Sequence, residues 1–116
     1  MSLAYSIVIQ KNVSVVSLSG RIMSESDIEL LSNELFSEMR DRCSNWVYDL
    51  AELSHINSTG INFIIRSLTR SRVNNGDLVI AAISGNVKTL FEIAKIHEII
   101  TIYPKVSDAL NHFNKQ

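Results

Sequence analysis

The sequence predicts an α/β fold: a mixed, mainly parallel β-sheet with crossover helices, in the order β-β-α-β-α-β-α-β-α. Three observations carry this. Short β-rich runs alternate with amphipathic segments of helical period, the pattern of a sheet built through crossovers. The first two runs are separated only by Lys11-Asn12, which reads as a hairpin turn. The later runs are apolar on nearly every residue, as strands covered on both faces are. At 116 residues the chain fits a single domain, 1–116, able to bury a core without disulfides or metal.

Tyr5, Ile7 and Ile9 alternate with Ser6, Val8 and Gln10 and predict the first strand. Val13 to Ser19 is the second, with Gly20 as its end. Ser24-Glu25-Ser26-Asp27 supplies an N-cap with an acid three residues on. Ile28, Leu31, Leu35 and Met39 then form one buried stripe of a helix that ends near Asp41 to Cys43. Trp46 to Leu50 predicts a central strand. Ile61, Ile64, Ile65 and Leu68 mark the second helix, closed by Asn74-Asn75-Gly76. Leu78 to Ile83 is the next buried strand. Ser84-Gly85-Asn86 caps a third helix with Val87, Leu90, Phe91 and Ala94 inward. Ile99 to Ile102 predicts the last strand. Pro104 suits the first turn of a final helix, with Val106, Ala109, Leu110 and Phe113 inward.

The bulk chemistry narrows the function. A net charge of −1 and a pI near 6.3 give no basic field for nucleic acid. No stretch approaches the length of a bilayer-spanning helix, so no membrane association is expected. The N-terminal residues lack the basic and apolar regions of a secretion signal, so a cytoplasmic protein is expected. Cys43 is the single cysteine, read as a packed thiol. His55, His97 and His112 are dispersed and show no metal-ligand spacing. Neither a cofactor nor a metal is expected, and no obligate homo-oligomer.

One stretch resists a purely structural reading. Ser54-His55-Ile56-Asn57-Ser58-Thr59-Gly60 sets four small or polar residues between two apolar segments. In a sheet of parallel strands it falls on the rim where strands end and helices begin. Asn57 and Ser58 are good N-cap residues and satisfy orphan N–H groups. Gly60 costs roughly 1 kcal/mol against alanine in a first helical turn. Its presence therefore implies a close approach, by a packed strand or by a partner. Catalysis by Ser58 with His55 or His97 as base is the weaker alternative. Asn-Ser-Thr-Gly is not the Gly-x-Ser-x-Gly elbow, and His55 falls in a loop with only Asp49 and Glu52 as nearby acids. Arg66, Arg70 and Arg72 form either a basic patch beside Ser58 or a solvated helix face. Ile56 and Ile61 flank the motif as apolar anchor or core, and Met23 and Met39 read as core.

Asp49-Leu50-Ala51-Glu52-Leu53-Ser54-His55-Ile56-Asn57-Ser58-Thr59-Gly60 resembles the signature of STAS domains, the sulphate transporter and anti-sigma factor antagonist family. There a strand ends in Asp-Leu, a short loop follows, and Asp-Ser-Ser/Thr-Gly opens a helix. Asn75-Gly76-Asp77-Leu78-Val79-Ile80 matches the next glycine-led strand. Ser84-Gly85-Asn86-Val87-Lys88-Thr89-Leu90-Phe91 is similar to the segment that opens the family's third helix. The resemblance implies a non-enzymatic, stand-alone anti-sigma factor antagonist. It would bind an anti-sigma factor, itself a serine kinase in some systems, through His55, Ile56, Asn57, Ser58, Thr59 and Gly60. Phosphorylation at Ser58, with Thr59 as second candidate, would undo the complex. Asn57 stands where the family has Asp, which puts regulated phosphorylation in question. The alternative is a nucleotide-responsive or scaffolding STAS domain, although no Gly-rich phosphate loop is present.

Overall fold

The computed structural model describes residues 3–41 and 45–114. Strands β1 (Leu3–Gln10) and β2 (Val13–Ile22) form the expected hairpin. Then follow α1 (Glu25–Asp41), β3 (Asn45–Ile56), α2 (Ser58–Val73), β4 (Asp77–Ala81), α3 (Gly85–Ile93), a 3-10 turn at Ile96–Glu98, β5 (Ile102–Tyr103) and α4 (Val106–Asn114). The sheet runs β1-β2-β3-β4-β5, antiparallel at its first pair and parallel at the other three.

That order explains the layering. Three successive parallel steps in one direction, each through a right-handed crossover, put α1, α2 and α3 on the same face. Their inner side chains meet Val16, Leu18, Trp46, Tyr48, Leu50 and Ile80 in the main core. Helix α4 covers the other face over Val13, Val15, Val47, Val79 and Ala81. Strand β3 thus has Trp46, Val47, Tyr48 and Leu50 all fully buried, as its unbroken apolar run requires. Among the described residues nothing but α4 covers that second face, and Val8 stands 52 % exposed on it.

Several boundaries differ from the sequence prediction. Gly20 does not end β2; it carries a φ of +96° inside a strand that continues to Ile22. Strand β3 does not stop at Leu50 but runs to Ile56. The pairing of β2 with β3 slips between Ser17 and Ser19 and again between Gly20 and Arg21, each time giving β3 one residue more. Asp49 serves the first bulge, accepting from Ser17 Oγ at 3.3 Å and from the Ala51 amide at 3.1 Å. Strand β4 ends at Ala81 because Ala82 turns left-handed. The last strand lies at Ile102–Tyr103, after the 3-10 turn occupies Ile96–Glu98. Ala94 is exposed and Ile96 takes the inward place. Cys43 and the side chain of Met39 lie outside the described residues.

One core group is chemically costly. The Tyr48 ring stacks on Phe63 at 6.1 Å, but its buried hydroxyl lacks a hydrogen-bond partner among the described residues. Burial drives its pKa far above the ordinary tyrosine value, with nearby Ser67 working weakly the other way. The folded pKa is the higher one, so the unfolded chain loses this proton first. The Tyr48 contribution to stability is intact below about pH 10 and falls by about 1.4 kcal/mol per pH unit above it, until the folded form titrates too. Tyr48→Phe is expected to gain about 1 kcal/mol at neutral pH, since it removes an unsatisfied hydroxyl. It should also flatten that alkaline loss. Urea melts at neutral and alkaline pH check both; equal alkaline slopes in the two proteins would contradict the assignment.

Candidate functional site at the start of helix α2

The C-terminal end of β3 hands directly to α2 through one residue, Asn57. It adopts extended φ and ψ of −129° and −166°, the conformation an N-cap needs. Its Oδ1 accepts from the Thr59 amide at 3.0 Å and the Gly60 amide at 3.4 Å. Its Nδ2 donates to the Met23 carbonyl at 2.8 Å, and its own amide donates to the Ile22 carbonyl at 3.3 Å. The Asp27 carboxylate accepts from the Met23 and Ser24 amides at 2.8 and 3.0 Å. One asparagine therefore ties the start of α2 to the β2–α1 junction.

This accounts for Asn rather than Asp at position 57. A carboxylate would keep the cap but would face the Met23 carbonyl with no proton to give. Asn57→Asp is expected to lower stability by about 1 kcal/mol, the lost bond outweighing the gain from a charge at the helix dipole. A denaturation midpoint equal to that of the natural chain would show the tie to be idle.

Ser58 is the first residue of α2 and is exposed. Neither its hydroxyl nor its amide has a hydrogen-bond partner among the described residues. The helix behind it is 16 residues long and has no acidic residue in its first turn. Its positive dipole end is thus uncompensated at Ser58. Thr59 is half-buried beside it. Gly60 and Ile56 lie beneath the surface: a Cβ on Gly60 would overlap Ile56 Cγ1 and stand 3.1 Å from Ile22 Cγ2. The close approach that the glycine implies is therefore made by the packed strands. Ile61 is also buried in the core.

His55 is exposed at the end of β3, in a strand rather than the expected loop. Ser54 Oγ donates to the Gly20 carbonyl at 2.9 Å, so it receives the His55 Nδ1 proton at 3.0 Å. That leaves His55 Nε2 to accept from Asn86 Nδ2 at 3.3 Å. Both ring nitrogens are engaged away from Ser58, so the histidine is not placed as its base. His97 belongs to the 3-10 turn, and His112 pairs with Tyr103 and Asp77. Glu52, Ser54, His55, Ser84, Gly85 and Asn86 line an open groove of about 380 Å³ beside the rim.

Two contributors were not legible as site residues. Met23 is 44 % exposed at the rim, not core. Asn86, in the segment that opens the third helix, reaches back to His55. The arginines do not converge on Ser58. Arg66 faces Glu25 at 3.9 Å, Arg70 lies over the Phe36 ring at 4.4 Å, and Arg72 pairs with Asp77 at 3.4 Å.

The arrangement is an open rim with the exposed Ser58 hydroxyl at its centre. Comparison with known proteins places the fold. The STAS domain family model matches residues 4–109. An anti-sigma factor antagonist from Mycobacterium paratuberculosis superposes with a TM-score of 0.86 at 20 % identity, covering 98 % of this chain and 96 % of that one. The anti-sigma factor antagonist SpoIIAA in its unphosphorylated form superposes at 0.81 with 12 % identity, over 96 % of each chain. The Bacillus SpoIIAA in its phosphorylated form does so at 0.74 with 12 % identity, over 95 % of this chain and 99 % of that one. Among the described residues no helix is long and apolar enough to cross a membrane. With the family model spanning nearly the whole sheet and its helices, this chain belongs to the STAS domain family.

Proposed function

We propose that the protein is a cytoplasmic anti-sigma factor antagonist that acts by binding, not catalysis. In this reading the rim formed by Met23, His55, Asn57, Ser58 and Thr59 docks an anti-sigma factor when Ser58 is unmodified. A phosphate on Ser58, placed there by a kinase activity of that partner, releases it. The observation that carries this is the free Ser58 hydroxyl at the uncompensated N-terminus of α2. Support also comes from the antagonists of the same fold, one of which is described in both phosphorylation states.

The physical logic is asymmetric. Phosphoserine adds about −1.5 to −2 charges and three acceptor oxygens. Inside the antagonist that anion sits at a helix N-terminus, which stabilises it by roughly 0.3–1 kcal/mol. Against a docked partner it would be buried without a counter-charge, at a cost of several kcal/mol. The fold tolerates the phosphate and the interface does not. The nucleotide-responsive alternative has less support, because the groove beside the rim carries Glu52 and neither lysine nor arginine.

The test uses Ser58→Ala and Ser58→Asp proteins as baits in the native cytosol, with captured proteins identified by mass spectrometry. Ser58→Ala should retain an anti-sigma factor and Ser58→Asp should lose it. Incubation of the natural chain with that partner and ATP should add one phosphate, absent in Ser58→Ala. Equal capture by both baits would sink the switch.

A further inference from the structure

The outer edge of β1 carries a second feature, separate from the Ser58 rim. Strand β1 is the sheet's antiparallel edge, eight residues long, Leu-Ala-Tyr-Ser-Ile-Val-Ile-Gln. It holds no charge, no proline and no bulge, three of the devices that usually keep such an edge from pairing. Because a two-residue turn closes the hairpin, Gln10 and Val13 exchange both of their backbone bonds. The alternation then spends Ala4, Ser6, Val8 and Gln10 on β2 and leaves the backbone groups of Leu3, Tyr5, Ile7 and Ile9 pointing outward. The edge is held in shape, since the Tyr5 hydroxyl donates to Glu34 of α1 at 2.8 Å. Beside it lies an open groove of about 370 Å³, lined by Leu3, Tyr5 and Leu30 among others, with Leu30 77 % exposed.

We propose that this edge pairs with the same edge of a second copy, antiparallel and centred on Ser6, to give a transient two-fold dimer with one continuous sheet. The register is fixed by the pattern of free groups. Centring on Ser6 sets Leu3 opposite Ile9 of the partner subunit and Tyr5 opposite Ile7 of the partner subunit. All four outward residues of each copy then exchange their backbone bonds. The same register sets Ala4 opposite Val8 of the partner subunit, covering the valine exposed on the face that α4 leaves bare. Along the strand no charges meet and apolar side chains oppose apolar ones, which a second copy supplies. Asp27 and Glu29 beside the groove and Glu34 on Tyr5 oppose its approach, so salt favours the pairing. The footprint is roughly 27 Å by 20 Å, or about 500 Å² per copy, against about 800 Å² for a standard stable interface. The dimer is therefore weak and concentration-dependent. The two-fold axis stands perpendicular to the sheet and sends the two Ser58 rims to opposite ends, both open.

Sedimentation equilibrium of the natural chain should show the mean mass rising toward twice the monomer value between about 10 µM and 1 mM. Ser6→Lys places two lysines against each other on the axis and should weaken association on the order of tenfold or more. Ser6→Thr should leave it unchanged, and both variants should melt like the natural chain because position 6 is exposed. Ser6→Cys, made with Cys43→Ser so that only one thiol remains, should form a disulfide-linked dimer on mild oxidation. Opposed residues of a non-hydrogen-bonded pair sit about 4.5 Å apart at Cα, within disulfide range. A natural chain that stays monomeric throughout overturns the proposal. So does a dimer that ignores Ser6→Lys, or one in which the thiols of the Ser6→Cys variant stay unlinked.

Discussion

Gly60→Val is expected to be the most damaging single change at the rim, costing about 3 kcal/mol or more. A Cβ there would overlap Ile56 Cγ1, stand 2.8 Å from Ile56 Cδ1 and lie 3.1 Å from Ile22 Cγ2. Ile22 is fully buried and Ile56 nearly so, and both belong to strands locked by the bulged β2–β3 pairing. Neither strand can retreat without breaking that ladder. Alanine at the same site regains roughly 1 kcal/mol of helix propensity, so Gly60→Ala should cost less, about 1–2 kcal/mol. The diagnostic is coupling. Ile56→Ala opens the space, and the double variant Gly60→Ala with Ile56→Ala should fall short of the summed losses by about 1 kcal/mol. Strict additivity in urea titrations would mean that the glycine serves something other than this contact.

Ser58→Asp is expected to weaken the proposed anti-sigma complex by about a hundredfold, near 2.7 kcal/mol at about 1.4 kcal/mol per decade. The same change should leave the isolated protein as stable as before, or more stable by about 0.3–1 kcal/mol. An acid there meets the vacant dipole end of α2 and occupies a place where the serine side chain makes no hydrogen bond that must be given up. Opposite signs in the two measurements, calorimetric titration with the partner and thermal melting alone, distinguish an electrostatic switch from a folding defect. Lost binding accompanied by a lower melting temperature would point to the defect.

The parts of the fold with regular periods were readable from residues alone. The stripe Ile28, Leu31 and Leu35 is buried on α1 as its spacing requires, and Trp46 to Leu50 is covered on both faces. The second half of β3 was hidden for a definite reason. Two bulges change the spacing of its inward residues to three, at Leu50, Leu53 and Ile56. A period of three matches neither the strand's two nor a helix's 3.6, so the segment passes for loop. Met23 misled because an isolated methionine before an N-cap carries no sign of which way it faces. The cap itself was legible, since Asn57-Ser58 ahead of a helical stripe has few other meanings. Its second bond, to Met23, was not, because it joins residues 34 apart in the chain. Asn86 was invisible as a site residue for the same reason: its contact with His55 spans 31 residues.

The web of contacts around Asn57 has a consequence for timing. Ser58 acquires its setting only after Ile22 at the end of β2, Met23 just beyond it and Gly60 of α2 have met. A short extended peptide copied from this segment would offer the same letters without the shape. Under the proposed switch, an enzyme that reads this shape rather than the letters would pass over nascent or damaged chains. The chemical mark would then double as a certificate of correct assembly.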